Sequence, residues 1–224
     1  MTLRSFQGVI FDMDGVLIDS EPVIRAAAQL AAEDLDHVVS DTFYLSVIGL
    51  PRLQVERAFM REFGADFPLM TFREHFEKRY REQLSTRGIA PKPGVPALLD
   101  ALITLGIPIA VATATRAVNA QEALDLAGLL PKLPIRVTGD QVQQGKPDPE
   151  IFLAAATRLG LPARHCIAVE DSDVGARAAV AAGMYTLMVP DLKAPSTALI
   201  RLVSEVLDSM PSAAARILGL LAAS

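Results

Sequence analysis

The stretch Val9-Ile10-Phe11-Asp12-Met13-Asp14-Gly15-Val16-Leu17-Ile18-Asp19-Ser20 decides how this chain is read. Residues 8–11 form an apolar run too short for a helix of its own, and the run stops on two aspartates one residue apart. Similar short runs recur at 107–112, 135–138, 166–169 and 185–189, each bounded by Gly, Pro or charge. Helical stretches separate them, at 95–105, 117–127, 149–159 and 174–182. Asp148 before Pro149 reads as a helix start, and Gly160 and Gly183 fall just past helix ends. The tail reads as a short strand near Val206 and a final helix. This alternation predicts an α/β fold, a parallel sheet with helices on both faces.

One interval breaks the alternation. From Glu21 to Arg87 no strand pattern appears, and helices are expected at about 22–36, 51–63 and 71–86. Eight of the 12 aromatic residues lie between Phe43 and Tyr80, so this interval has its own core composition. The chain therefore reads as an α/β core with a helical insert after the first strand. The junctions fall near Ser20 and near Pro91–Gly94, where prolines and a glycine punctuate the return.

Composition narrows the function classes. The 224 residues are 51% hydrophobic and 21% charged, which excludes wholesale disorder. The mean hydropathy of +0.33 raises the question of a membrane span. The longest uncharged run, 101–115, has 15 residues and is broken by Gly106 and Pro108, against the roughly 20 apolar residues a span needs. The apolar stretch before Asp12 is too short for a signal peptide. A net charge of −5 argues against nucleic acid or an anionic membrane as partner. The single cysteine, Cys166, excludes an intrachain disulfide and reads as a small core residue. A cytoplasmic globular protein is expected.

In parallel α/β sheets, ligands bind beyond the carboxyl ends of the strands. Asp12 and Asp14, Thr113 and Thr115, Lys146, and Glu170 with Asp171 follow successive runs, so all should face one crevice. Four carboxylates brought together repel, and a hard divalent cation relieves the repulsion. Metal, lysine and hydroxyl around a carboxylate suit a phosphoryl group, and a carboxylate can itself be the nucleophile. Each element alone has a plainer reading. Asp-x-Asp-Gly makes a turn, Thr113 is a strand-end hydroxyl, Lys146 a solvated loop residue, and Glu170-Asp171-Ser172 a helix cap. Their order, one at each strand end, argues for a shared site.

Together these residues resemble the motifs of the haloacid dehalogenase superfamily. Residues 9–20 are similar to its first motif, Thr113 to the second, Lys146 in Gly-Lys-Pro-Asp-Pro to the third, and Glu170-Asp171-Ser172 with Gly175 to the fourth. The β-phosphoglucomutase-like phosphatase branch resembles the chain most. The resemblance implies a Rossmann-like core domain of 1–19 and 91–224, with a helical cap domain of 20–90 that closes over the crevice. It implies that Asp12 attacks phosphorus. Asp14 protonates the leaving alcohol and then deprotonates water. Thr113 and Lys146 hold the phosphoryl oxygens. Mg²⁺ sits on the Asp12 carboxylate, the Asp14 backbone carbonyl and Asp171, with Glu170 bound directly or through water. The dehalogenase members lack an acid at the position of Asp14, so its presence favours phosphoryl transfer.

Substrate contacts follow from the same resemblance. Gly49-Leu50-Pro51-Arg52 is similar to a cap segment that binds a distal anionic group, and is equally a helix start. Thr115, Arg116 and Asn119 match a stretch that contacts phosphate or sugar oxygens, and Arg116 is equally a surface residue of a first helical turn. Glu21 is placed to touch a substrate hydroxyl or set the hinge; the aromatic cluster reads as the core of the cap, with Phe43 or Tyr44 as the residues that could reach the crevice. The mutase carries a histidine in its first cap helix where this chain has Ile24, while His37 and His75 read as surface residues. The expected activity is a Mg²⁺-dependent phosphatase acting on a small phosphorylated metabolite, a sugar phosphate, as a monomer. The alternative is a sugar phosphomutase.

Overall fold

A computed structural model describes residues 5–48, 50 and 52–223, the side chain of Arg52 excepted. The chain runs β1 (Gly8–Phe11), α1 (Glu21–Glu33), α2 (Asp41–Val47), α3 (Arg52–Phe63) and α4 (Leu69–Arg87). It continues through α5 (Val95–Thr104), β2 (Ile109–Thr113), α6 (Ala117–Leu126), β3 (Ile135–Thr138), α7 (Glu150–Leu159) and β4 (Cys166–Glu170). It ends with α8 (Asp173–Ala181), β5 (Tyr185–Met188), α9 (Thr197–Ile200), β6 (Glu205–Val206) and α10 (Met210–Ala222). Two compact units result: Met1–Asp19 with Ala90–Ser224, and Ser20–Ile89.

The first unit is built on one six-stranded sheet of order β3-β2-β1-β4-β5-β6. Every neighbouring pair is parallel. Successive strand side chains point to opposite faces. Ile10, Ala110, Ala112 and Ala168 pack with Ile151, Phe152 and Ala155 of α7 and Ala178 and Ala179 of α8. Val9, Phe11, Val111, Ile167 and Val169 point the other way and are equally buried, so protein covers both faces. That double burial is why the central strands are continuous apolar runs rather than alternating ones.

Strand ends follow backbone chemistry. The β2 run was expected from residue 107, but the ladder begins at Ile109, paired with Val9. Pro108 has no N–H to donate and contributes its carbonyl to Val9 N–H at 3.1 Å. β2 then reaches Thr113, opposite Thr138, and β4 reaches Glu170, opposite Met188. Polar residues thus complete the carboxyl ends of two buried strands. Gly160 and Gly183 hold φ of 70° and 78°, the left-handed conformation that follows α7 and α8. Cys166 is a free, fully buried thiol that burial pushes up to about 11.

Among the described residues, the regular elements of the second unit are all helices. Alanines 27, 28, 31 and 32 form the buried face of α1, which packs against α4. Its aromatic core centres on Phe59, whose ring lies 4.7–5.7 Å from those of Phe43, Phe63, Phe67 and Phe72. Helix α2 was not expected. Ser40 caps it by accepting the Phe43 N–H at 3.1 Å, a signal that seven residues with two aromatics conceal. Phe43 and Tyr44 join this core, and Ile24 packs against it. His37 lies half-buried against Phe63 and Phe67 rather than on the open surface.

An ion cluster closes one end of α1 onto α4. The Arg79 guanidinium donates to Asp34 Oδ2 at 2.9 Å and Oδ1 at 2.5 Å, with His75 Nδ1 at 3.0 Å. The Arg79 hydrogen bond, above all, holds the Asp34 carboxyl down from 3.8 to about 2. A lowered pKa means the folded state favours the charged carboxylate, so this contribution is present above the unfolded value and lost as pH falls through the folded one. The gap between wild-type and Asp34→Asn urea midpoints is expected to be open above pH ~4 and to close towards pH ~2. Phe59→Ala is expected to cost the helical unit about 3–5 kcal/mol, read as the shift of its denaturant transition.

Candidate active site

Asp12 follows β1, and its N–H donates to the Val169 carbonyl at 2.9 Å, which fixes it against the end of β4. Glu170 ends β4 and is fully buried. One of its oxygens accepts the Asp171 and Ser172 N–H groups, each at 3.0 Å, and the Ser172 hydroxyl at 2.9 Å. Its other oxygen accepts Lys146 Nζ at 2.6 Å, and the same ammonium donates to Asp12 Oδ1 at 2.5 Å. Lys146 lies over the Phe152 ring, 5.1 Å from its centre, so the core of the sheet extends directly beneath the charges.

Two glycines make room for this arrangement. A Cβ on Gly175 would overlap the Glu170 carboxyl. A Cβ on Gly15, which holds a φ of +78°, would overlap the Asp171 carboxyl. Ser172 caps α8 by accepting the Gly175 N–H at 3.1 Å, so the cap and the bare Cα are parts of one turn.

The electrostatics are unbalanced. Asp12, Glu170 and Asp171 each offer a carboxylate oxygen within 4.8 Å of the others. Burial pushes the Asp12 carboxyl up to about 7, with Lys146 pulling it down and Glu170 and Asp14 pushing it further up. Burial also raises Asp171 well above the ordinary carboxylate range, and the charges of Glu170 and Asp12 add to this. Burial alone would lower Lys146, but the two carboxylates beside it hold its pKa above the ordinary lysine value. With all three carboxylates ionised, the one ammonium leaves two negative charges uncompensated, so burial and this excess together make Asp12 and Asp171 hold their protons more tightly than usual. An all-oxygen donor set with that excess fits a hard divalent cation of the Mg²⁺ type.

Asp14 stands beside this cluster. Its Oδ2 accepts the Thr115 hydroxyl at 2.7 Å and lies 3.4 Å from the Thr113 hydroxyl. Its Oδ1 is buried and meets no hydrogen-bond partner among the described residues. The Thr115 hydroxyl, expected near substrate oxygens, donates here to Asp14. Arg116 is an exposed N-cap of α6, and Asn119 is half-buried in that helix's first turn. Glu21 opens α1 and accepts the Tyr44 hydroxyl. Gly49 lies outside the described residues, and Arg52 opens α3.

Two further residues at the site carried no signal in the sequence. Lys92 Nζ donates to Asp191 Oδ1 at 2.6 Å and to Asp19 Oδ1 at 3.2 Å. Asp191 reaches the same side of Gly15 as Asp171, and its charge is one of those that raise Asp171. Lys92 sits in the Pro-Lys-Pro-Gly return and Asp191 follows β5, each with the look of an ordinary loop charge.

Comparison with known proteins agrees with this architecture. A family model described as a haloacid dehalogenase-like hydrolase matches residues 6–183. The phosphorylated carbohydrates phosphatase of Thermotoga maritima is 33% identical over 181 residues, 80% of this chain and 82% of that protein. Hexitol phosphatase A of Escherichia coli strain K12 is 34% identical over 189 residues, 82% of each chain. The crystal structure of a hydrolase of this family from Deinococcus radiodurans R1, with bound phosphate and sodium, is 28% identical. It superposes with a TM-score of 0.75 over 97% of this chain and 98% of that one.

Lys146→Met strips the buried carboxylates of their cation. It is expected to cost about 3–5 kcal/mol in urea denaturation at neutral pH.

Proposed function

The chain belongs to the haloacid dehalogenase-like hydrolases, and from that premise we propose that it is a Mg²⁺-dependent phosphatase of small phosphomonoesters, sugar or polyol phosphates, working through an aspartyl phosphate. The observation that carries this reading is the Lys146 ammonium held between Asp12 and Glu170 beside Asp171. The names of the phosphorylated carbohydrates phosphatase and of hexitol phosphatase A support the substrate class.

The family resemblance suggests the roles, and the positions of the residues support them. Asp12 attacks phosphorus and becomes the aspartyl phosphate, and the ester oxygen leaves with a proton from Asp14. Water then attacks the same phosphorus, gives its proton to Asp14, and Asp12 is released as a carboxylate. Lys146 and the Thr113 hydroxyl hold phosphoryl oxygens where negative charge grows. Lys146 suits that work because its charge is fixed by two neighbours and needs no reorganisation during the reaction. Asp12, Asp171 and the Asp14 backbone carbonyl would hold Mg²⁺, with Glu170 directly or through water. When bound, the ion would offset the acidic excess and draw charge from the phosphoryl oxygens. Arg116 and Asn119, at the start of α6, are the proposed contacts to the rest of the substrate from this unit.

Phosphate release from a panel of sugar and polyol phosphates, phosphoglycolate and nucleotides tests the substrate class. Net release without added bisphosphate separates hydrolysis from mutase chemistry. Asp12→Asn is expected to lower turnover by more than ~10³-fold with Mg²⁺ present, and full turnover in that variant would overturn the assignment. Mg²⁺ is expected to raise the thermal midpoint of the wild type and to have little effect on Asp171→Asn, measured by calorimetry.

A further inference from the structure

The geometry points to Thr115 as a positioning residue that fixes the Asp14 carboxyl so that Oδ1, and not Oδ2, exchanges the proton with substrate and water. The inference rests on the proposed acid–base role of Asp14 and names the atom and the holder of that role.

The hydrogen-bond inventory carries it. A threonine hydroxyl has a single proton to donate. The Thr115 proton is committed to Asp14 Oδ2 at 2.7 Å, within the range of a charge-assisted bond. A phosphate dianion presents only acceptors, so Thr115 cannot donate to it while it holds Asp14. Thr113 is differently placed. Its separation of 3.4 Å from Oδ2 marks a weak bond, and its oxygen already accepts the Thr115 N–H at 3.0 Å. Its proton is the one free to turn to a phosphoryl oxygen. The two threonines therefore divide the work that their sequence positions suggest they share.

Oδ2 holds the Thr115 hydroxyl proton, so a proton carried by Asp14 belongs on Oδ1. That oxygen is buried and unpartnered, an arrangement that costs stability unless a ligand completes it. In ester cleavage the P–O(ester) bond breaks as the Asp12 oxygen bonds phosphorus, and the Oδ1 proton passes to the leaving oxygen. In the second step a water oxygen bonds phosphorus, its proton passes to Oδ1, and the P–O(Asp12) bond breaks.

Thr115 is itself held for this task. Besides its N–H bond to Thr113, its carbonyl accepts the Gly139 N–H at 3.2 Å. A Cβ on Gly139 would overlap the Ala114 carbonyl, so a glycine is required for that approach. Asp140 next to it accepts the Ala117 N–H at 3.0 Å and the Thr138 hydroxyl at 2.6 Å. The turn after β3 thus clamps the turn after β2.

Two aryl esters separate this role from substrate binding. p-Nitrophenyl phosphate has a leaving group that needs no proton, whereas that of phenyl phosphate is more basic. Thr115→Val is expected to lower kcat on phenyl phosphate by about 10–100-fold. KM is expected to change less than about twofold. With p-nitrophenyl phosphate the same variant is expected to release one equivalent of nitrophenol in a fast burst and then turn over slowly, because water still needs the base. Thr115→Ser is expected to restore kcat, and Thr115→Ala to repeat the valine result. A raised KM with unchanged kcat, or a serine variant as slow as the valine one, would overturn the inference. Wild-type turnover of phenyl phosphate by Asp14→Asn would remove the acid–base reading beneath it, whatever the Thr115 variants do.

Discussion

Lys146 between Asp12 and Glu170 is the contact around which the α/β unit is organised at its carboxyl end. Three acids are brought together there, two of them with less than a tenth of their surface exposed. A buried carboxylate is tolerated when its lone pairs are satisfied and a counter-charge is close. Glu170 meets both conditions, with three donors on one oxygen and the ammonium on the other. Gly175 and Gly15 follow from the same demand, since a side chain at either would occupy the space of a carboxyl. The turn after β1 and the first turn of α8 are therefore shaped by charge placement as much as by chain geometry.

The sheet makes that placement possible at low cost. Parallel strands buried on both faces leave polar groups only where the strands stop, and register then decides which stops are adjacent. β1 lies between β2 and β4, with Phe11 opposite both Val111 and Val169. Residues far apart in the chain, 12, 113 and 170, are thereby brought within a few residues of one register line. The 51% apolar composition is the other side of this: it is what a doubly covered sheet and an aromatic helical core require.

Much of this was legible because short apolar runs bounded by Gly, Pro or charge have few other meanings. The strands were found to within two residues, and the shift in β2 has a specific cause in Pro108. What escaped was short or non-local. Helices α2 and α9 have seven and four residues, too few for a periodic pattern, though Ser40 and Ser196 cap them. The Lys92–Asp191 pair joins residues 99 apart in sequence, and no local signal links them. The Thr115–Asp14 bond, over 101 residues, had a positional clue in a hydroxyl after a strand, but nothing local in the sequence names the acid that accepts its proton. Patterns of polarity report which residues reach a site, but not how donors are allotted within it.

Charge shows the same gap between chain and site. The net charge of −5 argues against nucleic acid or an anionic membrane, yet the proposed ligand, a phosphate ester, is also an anion. At the site, Lys146 offsets one of three clustered carboxylates, so a dianion arriving alone would meet an excess of like charge in a medium that screens poorly. A divalent cation would bring the cluster to neutrality, and the dianion would then no longer meet an excess of like charge. Under the proposed reading the cation therefore binds before or together with the phosphate. The order follows from charges within a few ångströms of one another, whereas surface charges more than about 8–10 Å away are largely screened.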